Sequence, residues 1–348
     1  MKNTLNSKKI PITVIQGFLG SGKTTLLNYI LQNNQGLNIG VVVNDFGDIN
    51  IDSKLVKSKT DKQLELTSGC ICCSLQTLDL QEAIDQFTFK GSNIDHIIIE
   101  ASGLAEPRDL AMTLRQTIGV NVRLDGIVTV LDAENIKKNA KQFSTARDQI
   151  IFTDYIVINK IDLVKKAAID DIVNLIHSFN PKARILESTN AQVDIRLLLE
   201  LNSTPSNQTQ AKALSSAKSI QSKKHDHSHH LHHQFSSLSW STAKPLDPVK
   251  FQNFVNRLLP VSVYRAKGIV NLGIKGHMRR YIFHLVGVRA EITWDNWKNQ
   301  APTTEIVFIG QDIDSKKLKA DLQDCIDDQP NEPMQNGMEL KLPKKSDY

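Results

Sequence analysis

The chain has 348 residues, 40% hydrophobic and 23% charged, and carries a formal charge of +5. That length allows two domains with their own cores, and the scattered Lys and Arg lack the concentrated basic stripe of a nucleic-acid binder. No apolar run exceeds strand length, and the opening MKNTLNSKKI lacks the apolar stretch of a signal peptide, so no membrane partner and a cytoplasmic location are expected.

From Ile10 to about Leu201, short β-branched runs alternate with helical patterns. The expected strands are Ile10–Gln16, Ile39–Asn44, Ile94–Glu100, Gly126–Asp132, Asp154–Asn159 and Arg184–Glu187. Between them lie helical patterns such as Thr24–Asn33, Thr77–Phe87, Asp109–Gly119 and Ala167–Phe179. Such alternation predicts an α/β domain, a parallel sheet with helices on both faces. From about Asn202 to Gln234 the chain turns polar and reads as a flexible linker. Order resumes at Phe235 with an edge strand, SSLSWS, and a helix over Pro248–Leu259. Strands follow at Ser262–Leu272, Arg279–Val288, Ala290–Trp294 and Thr304–Ile309, then a closing helix, Lys316–Cys325. The expected division is a tail at 1–9, the α/β domain at 10–203, the linker at 204–234, a smaller α+β C-terminal domain at 235–329 and a polar tail at 330–348.

The first strand runs into GFLGSGKT, Gly17 to Thr24, and then a helix. This is the G-x-x-x-x-G-K-[ST] phosphate loop in its strand–loop–helix setting. Gly17, Gly20 and Gly22 let backbone N–H groups, including that of Ser21, face a phosphate. Lys23 reaches the β/γ-phosphates, and the Thr24 hydroxyl suits Mg²⁺; Thr25 follows in the first turn of a helix whose dipole favours an anion. The bland alternative is a Gly-rich turn before an ordinary helix. Further on, IDHIIIEASGLAEP ends a strand in Glu100, a second candidate for Mg²⁺, with Gly103 placed to offer its N–H to a γ-phosphate. Lys23, Thr24 and Glu100 are therefore the expected catalytic residues.

The strand DYIVI runs into Asn159-Lys160-Ile161-Asp162. The Asp162 carboxylate can accept from both the ring N–H and the exocyclic amine of guanine, whereas adenine would face it with an acceptor and leave a polar group unpaired. The expected cofactor is GTP, turned over to GDP. The alternative is a polar strand-to-helix turn. The loop Glu187-Ser188-Thr189-Asn190 could close over the base.

Three of the four cysteines fall in one short run, Cys70, Cys72 and Cys73. In an extended segment Cys70 and Cys72 point the same way, and soft thiolates suit Zn²⁺ or Cu(I). Three protein thiolates leave a tetrahedral shell incomplete, which suits an ion that must leave. A redox pair or buried structural cysteines are the competing readings. A second candidate is the run His225, His227, His229, His230, His232 and His233, an auxiliary metal-capturing tract or a solvated spacer.

Together these motifs resemble the CobW family of GTPases, metallochaperones related to the nucleotide-dependent maturation factors of urease and hydrogenase. The carrying residues are GFLGSGKTT at 17–25, VVNDFGDINID at 42–52, SGCICCS at 68–74, IIIEASGLAEP at 97–107, NKID at 159–162, YRAKGIVNL at 264–272 and IVFIGQDID at 306–314. The resemblance covers nearly the whole chain in order. It implies a P-loop NTPase domain with a C-terminal α+β domain, GTP hydrolysis with Mg²⁺, and Zn²⁺, in some members Co²⁺, held by the Cys-x-Cys-Cys thiolates for a metal-requiring client protein. It departs from the family at Asn44-Asp45-Phe46-Gly47-Asp48, where N-E-F-G-E is usual and Asp shortens the reach by one methylene. Cobalt handling for cobalamin synthesis, and a passive metal store or sensor with incidental GTPase activity, are the alternatives. A homo-oligomer is left open.

Overall fold

The computed structural model describes residues 9–43, 63–65, 77–89, 92–117, 121–199, 235–274, 279–297 and 300–327. The first part is a seven-stranded sheet of order β3-β2-β4-β1-β5-β6-β7, with every neighbouring pair parallel. Its strands are β1 (Ile10–Gln16), β2 (Ile39–Val43), β3 (Gln63–Glu65), β4 (His96–Glu100), β5 (Val122–Asp132), β6 (Tyr155–Asn159) and β7 (Arg184–Glu187). The helices are α1 (Lys23–Gln32), α2 (Thr77–Thr88), α3 (Pro107–Thr117), α4 (Ile136–Gln142), α5 (Ser144–Ile151), α6 (Lys166–Phe179) and the single turn α7 (Ile195–Leu198).

β2, β4 and β6 are buried at every position, as strands covered on both faces must be. One face of the sheet packs in a core with Leu26, Leu27 and Ile30 of α1. On the other, Leu80, Ile84 and Phe87 of α2 join Leu110 and Leu114 of α3 against β4.

The second part is a five-stranded antiparallel sheet of order β11-β10-β9-β12-β8. It comprises β8 (Phe235–Thr242), β9 (Val263–Val270), β10 (Arg279–Val286), β11 (Arg289–Asn296) and β12 (Thr304–Gln311), with helices α8 (Pro248–Asn253) and α9 (Ser315–Gln323). β12 alternates buried and half-buried positions, the pattern of a sheet with one face in a core. That face packs on Phe251, Phe254, Leu318 and Leu322. β8, read as an edge strand, lies at the edge.

Three expectations need correction. The helix at Pro248–Leu259 is α-helical only to Asn253; Phe254–Leu258 is a π turn, closed by Leu259 N–H donating to the Phe254 carbonyl at 2.9 Å. The extra residue per turn leaves Leu258 exposed, off the stripe of Phe251 and Phe254. β5 begins at Val122 rather than Gly126, because Ile10 to Ile12 of β1 pair with Val122 to Leu124. Helices α4 and α5 fill 136–151, where no element was expected.

The second domain docks on the first through charges buried at the start of β5. Arg265 donates to both carboxylate oxygens of Asp125, at 2.8 and 2.7 Å, and to the Leu197 carbonyl at 3.2 Å. Arg289 donates to the Leu124 and Asp125 carbonyls at 2.9 and 2.6 Å. Tyr155 Oη donates to the Tyr264 carbonyl at 2.8 Å, and Tyr264 Oη to the Ile185 carbonyl at 3.0 Å. Burial alone would raise the Asp125 carboxyl; Arg265 and Arg123 reverse this and hold it well below the ordinary carboxylate range. Leu124, Tyr155 and Ile185 lie at or near the N-terminal ends of their parallel strands. The dock is thus at the sheet edge opposite the strand C-termini, about 23 Å away along β5 at ~3.3 Å per residue.

His96, fully buried beside this dock, shares a 2.8 Å hydrogen bond with Thr13 Oγ1. Burial lowers its imidazole to about 4, and Arg265 and Arg123 add to this against the pull of Asp125. A group depressed in the fold binds its proton more readily when unfolded. Its contribution is therefore complete above about pH 6.5 and is lost as pH falls toward 4, at up to about 1.4 kcal/mol per pH unit. Denaturation between pH 7 and 4.5 should show this slope together with that of His284, which burial lowers to about 3, and His96→Gln should reduce it; an unchanged slope would assign it to other groups.

Candidate nucleotide site

β1 delivers Gly17 to Gly22 at the centre of the sheet. Gly17 has φ +143, and a Cβ there would come within 2.2 Å of the Val130 carbonyl oxygen. Gly22 has φ +105, and a Cβ would meet Asn159 Nδ2 at 2.4 Å. Both the left-handed backbone and the close approach require glycine. Gly22 caps α1 with no side-chain hydrogen bond, and no acidic residue stands in the first turn. Ser21 Oγ is buried and, among the described residues, has no hydrogen-bond partner. A polar orphan inside a left-handed loop at a helix N-terminus fits a phosphate oxygen. Lys23 is buried, its Nζ donating to the Phe18 carbonyl at 3.4 Å across the loop.

Thr24 Oγ1 donates to Glu100 Oε1 at 2.7 Å. Glu100 ends β4, paired with Ile15 on one side and Val43 on the other, and is 1% exposed. A hydroxyl and a carboxylate oxygen together at this edge are the hard donors Mg²⁺ prefers. Gly103 follows with its backbone against the loop: a Cβ there would lie 2.6 Å from Leu19 Cδ2.

The NKID residues divide their work. Asn159, buried, donates from Nδ2 to the Ser21 carbonyl at 2.9 Å and accepts from Ala191 N–H at 2.8 Å. It staples the phosphate loop to the segment after β7. Lys160 takes φ 63 and starts the 3₁₀ turn Ile161–Leu163, on which Asp162 is exposed. Ser188 N–H donates to the Ile158 carbonyl at 2.9 Å, and Ile161 N–H to the Ser188 carbonyl at 3.3 Å. The loop at 187–190 therefore lies beside the NKID turn. Asp162→Ala is expected to cut the preference for GTP over ATP by at least about tenfold, the size of one charge-assisted hydrogen bond. Competition binding with both nucleotides measures it, and an unchanged preference would remove guanine reading from Asp162.

Asp132 escaped the sequence reading. It ends β5 in register with Asn159. It accepts from Lys160 Nζ at 2.8 Å, Asn135 Nδ2 at 3.0 Å and Glu134 N–H at 2.9 Å. Burial pushes its carboxyl up, but these hydrogen bonds outweigh burial and hold it below the ordinary value. The signal was available: an acid ending the apolar strand GIVTVLD stands as Glu100 does at the end of β4. Cys325, the fourth cysteine, is a core thiol; burial raises it to about 12, and Sγ donates to the Asp321 carbonyl at 3.2 Å. Cys70, Cys72, Cys73, the six tract histidines and Asn44–Asp48 lie outside the described residues.

A central parallel strand, a glycine loop and a lysine–threonine helix start define a P-loop nucleotide-binding domain. Residues 11–187 match the family described as CobW/HypB/UreG, nucleotide-binding domain, and residues 235–326 match the cobalamin synthesis protein cobW C-terminal domain. The chain belongs to the CobW/HypB/UreG family of P-loop GTPases. It is 37% identical over 231 residues to "Zinc-regulated GTPase metalloprotein activator 1" of Dictyostelium discoideum, a match over 55% of this chain and about half, 48%, of that protein. It is 30% identical to "Zinc chaperone CobW" of Sinorhizobium sp, over 90% of this chain and 97% of that one. Among solved structures, Zn(II)-bound YjiA GTPase from E. coli aligns over 92% of this chain and 100% of that one, at 22% identity and a TM-score of 0.43.

Proposed function

We propose that the chain is a GTP-dependent metallochaperone that carries Zn²⁺ on Cys70, Cys72 and Cys73 and passes it to a metal-requiring client protein. The observation that carries this reading is the position of β3. It is parallel to β2 and β4 and ends at Glu65, on the sheet edge where Glu100 stands. The chain then runs through Cys70–Cys73 before returning to α2. β3 thus ends at the edge that carries Lys23, Thr24 and Glu100, five positions in sequence before Cys70. The zinc named in both curated relatives points the same way.

In this reading Gly17–Thr25 cradle the phosphates of GTP, and Asp162 reads the base from a turn that Asn159 ties to the phosphate loop and Lys160 to Asp132. Thr24 and Glu100 would hold Mg²⁺, which supplies charge neutralisation at the β- and γ-phosphates. Gly103 offers its N–H to the γ-phosphate, so the 100–103 turn differs between GTP and GDP states. Zinc is cargo. Its shell of three thiolates is completed by an exchangeable ligand or by the client, and the histidines at 225–233 serve as an auxiliary collecting tract. Zinc and GTP then bias each other reciprocally. Zinc titration of wild type and of a Cys70, Cys72, Cys73→Ser variant tests the site. Loss of the tight zinc equivalent in the variant is expected; retention would move the cargo site elsewhere.

A further inference from the structure

Helix α5 and the residue just past it hold the turn after Glu100 and the start of α3 at three points. Gln149 Nε2 donates to the Gly103 carbonyl at 3.3 Å. Thr145 Oγ1 donates to Glu106 Oε1 at 2.6 Å. The Arg108 guanidinium lies 5.3 Å from the centroid of the Phe152 ring, just past the helix. Gln149 is fully buried, and among the described residues its Oε1 has no hydrogen-bond partner.

The base from which Gln149 reaches is fixed. Its carbonyl accepts from Thr129 Oγ1 at 2.8 Å and from Gln16 Nε2 at 3.4 Å. Gln16 Nε2 also donates to Thr129 Oγ1 at 3.0 Å and to the Phe152 carbonyl at 2.9 Å. Gln16 is the last residue of β1, immediately before the phosphate loop. The start of that loop and the base of the Gln149 side chain therefore share one hydrogen-bond network. Gly103, with no Cβ, has little intrinsic restraint on its backbone. A hydrogen bond on its carbonyl supplies one. A buried amide with one arm bonded and the other unpaired is costly for packing alone, but it suits a side chain that meets different partners as the turn moves.

We propose that Gln149 is a positioning residue for GTP hydrolysis. Through the Gly103 carbonyl it sets the orientation of the turn that reads the γ-phosphate, in register with the phosphate loop. Its Oε1 accepts an N–H of the turn in one of the two nucleotide states. This rests on the reading of Gly103 as the phosphate-sensing residue.

The test uses the full chain with Gln149→Leu, which keeps the volume and removes both the donor and the unpaired acceptor. Affinities for a non-hydrolysable GTP analogue and for GDP, kcat, the melting temperature and amide exchange over 101–106 are measured. The expected result is a drop of about tenfold in the analogue-to-GDP preference and in kcat, the scale of one hydrogen bond, with GDP affinity and melting temperature held. An unchanged preference and kcat would overturn the proposal. So would a fall in both affinities together with the melting temperature, the mark of a packing role. Wild-type exchange over 101–106 separates the two ideas: if it is the same with analogue and GDP, the phosphate-sensing reading fails and takes the proposal with it. If it differs but Gln149→Leu leaves the difference intact, only the Gln149 role fails. Should Gln149→Leu not fold, Thr145→Val releases the other end of the clasp and must shift the same preference in the same direction, or the proposal falls.

Discussion

Lys23→Ala is expected to lower kcat for GTP hydrolysis by about 10²–10³-fold, the usual cost of removing one preorganised charge from the site where negative charge builds up. The geometry explains why the loss should be that large. Lys23 is buried in the phosphate loop and its Nζ sits over the Phe18 carbonyl, so a mobile surface lysine cannot take its place. Steady-state GTP hydrolysis measures the effect; activity within a factor of three of wild type would contradict it. The same variant separates the chaperone reading from its rival. If hydrolysis drives transfer, Lys23→Ala should take up zinc and fail to deliver it to a client. If delivery persists, the protein is a passive store.

The second large effect belongs to the dock between the domains. Arg265→Leu removes the bidentate partner of the buried Asp125 and leaves it Arg123, at 3.0 Å. Breaking a buried pair from one side typically costs about 3–5 kcal/mol, a large share of the ~5–15 kcal/mol of a typical fold. Chemical denaturation should show this loss, or an early transition in which the C-terminal domain separates. Asp125→Asn combined with Arg265→Leu should recover part of it, because the carboxylate that lost its bidentate partner is gone. If the single variant costs under about 1 kcal/mol, the ion pair does not hold the domains.

Much of the fold was legible because the strands are strong signals. HIIIE and YIVIN carry unbroken apolar runs of strand length, which a doubly covered parallel strand uses. The parts missed have physical reasons. α4 and α5 have seven and eight residues, too few turns for a helical period to stand out, and α5 faces polar partners through Gln149 and Thr145. The start of β5, VRLD, lay outside the expected strand because its charges serve a second domain distant in sequence. The sequence over Phe251–Leu258 keeps the i, i+3, i+4 spacing of an α-helix, so the π turn shows itself only in the Leu259–Phe254 bond and the exposure of Leu258.

At the site, the sequence identified residues whose type has one obvious use, and the structure brings Thr24 to Glu100 and Asn159 to the phosphate loop. It could not show that Asn159 works on protein backbone, nor that Asp132 anchors Lys160, because both depend on strand register. Gln149 carries no motif at all. Its role rests on which carbonyl it meets.

The central claim is that zinc and nucleotide are coupled, and the most direct measurement is the affinity of the full chain for Zn²⁺ with a non-hydrolysable GTP analogue and with GDP, both with Mg²⁺. A ratio of about 5–150, the usual range of coupling between sites, is expected, together with the same ratio in nucleotide affinity with and without zinc. Equal zinc affinity in the two nucleotide states would contradict the account.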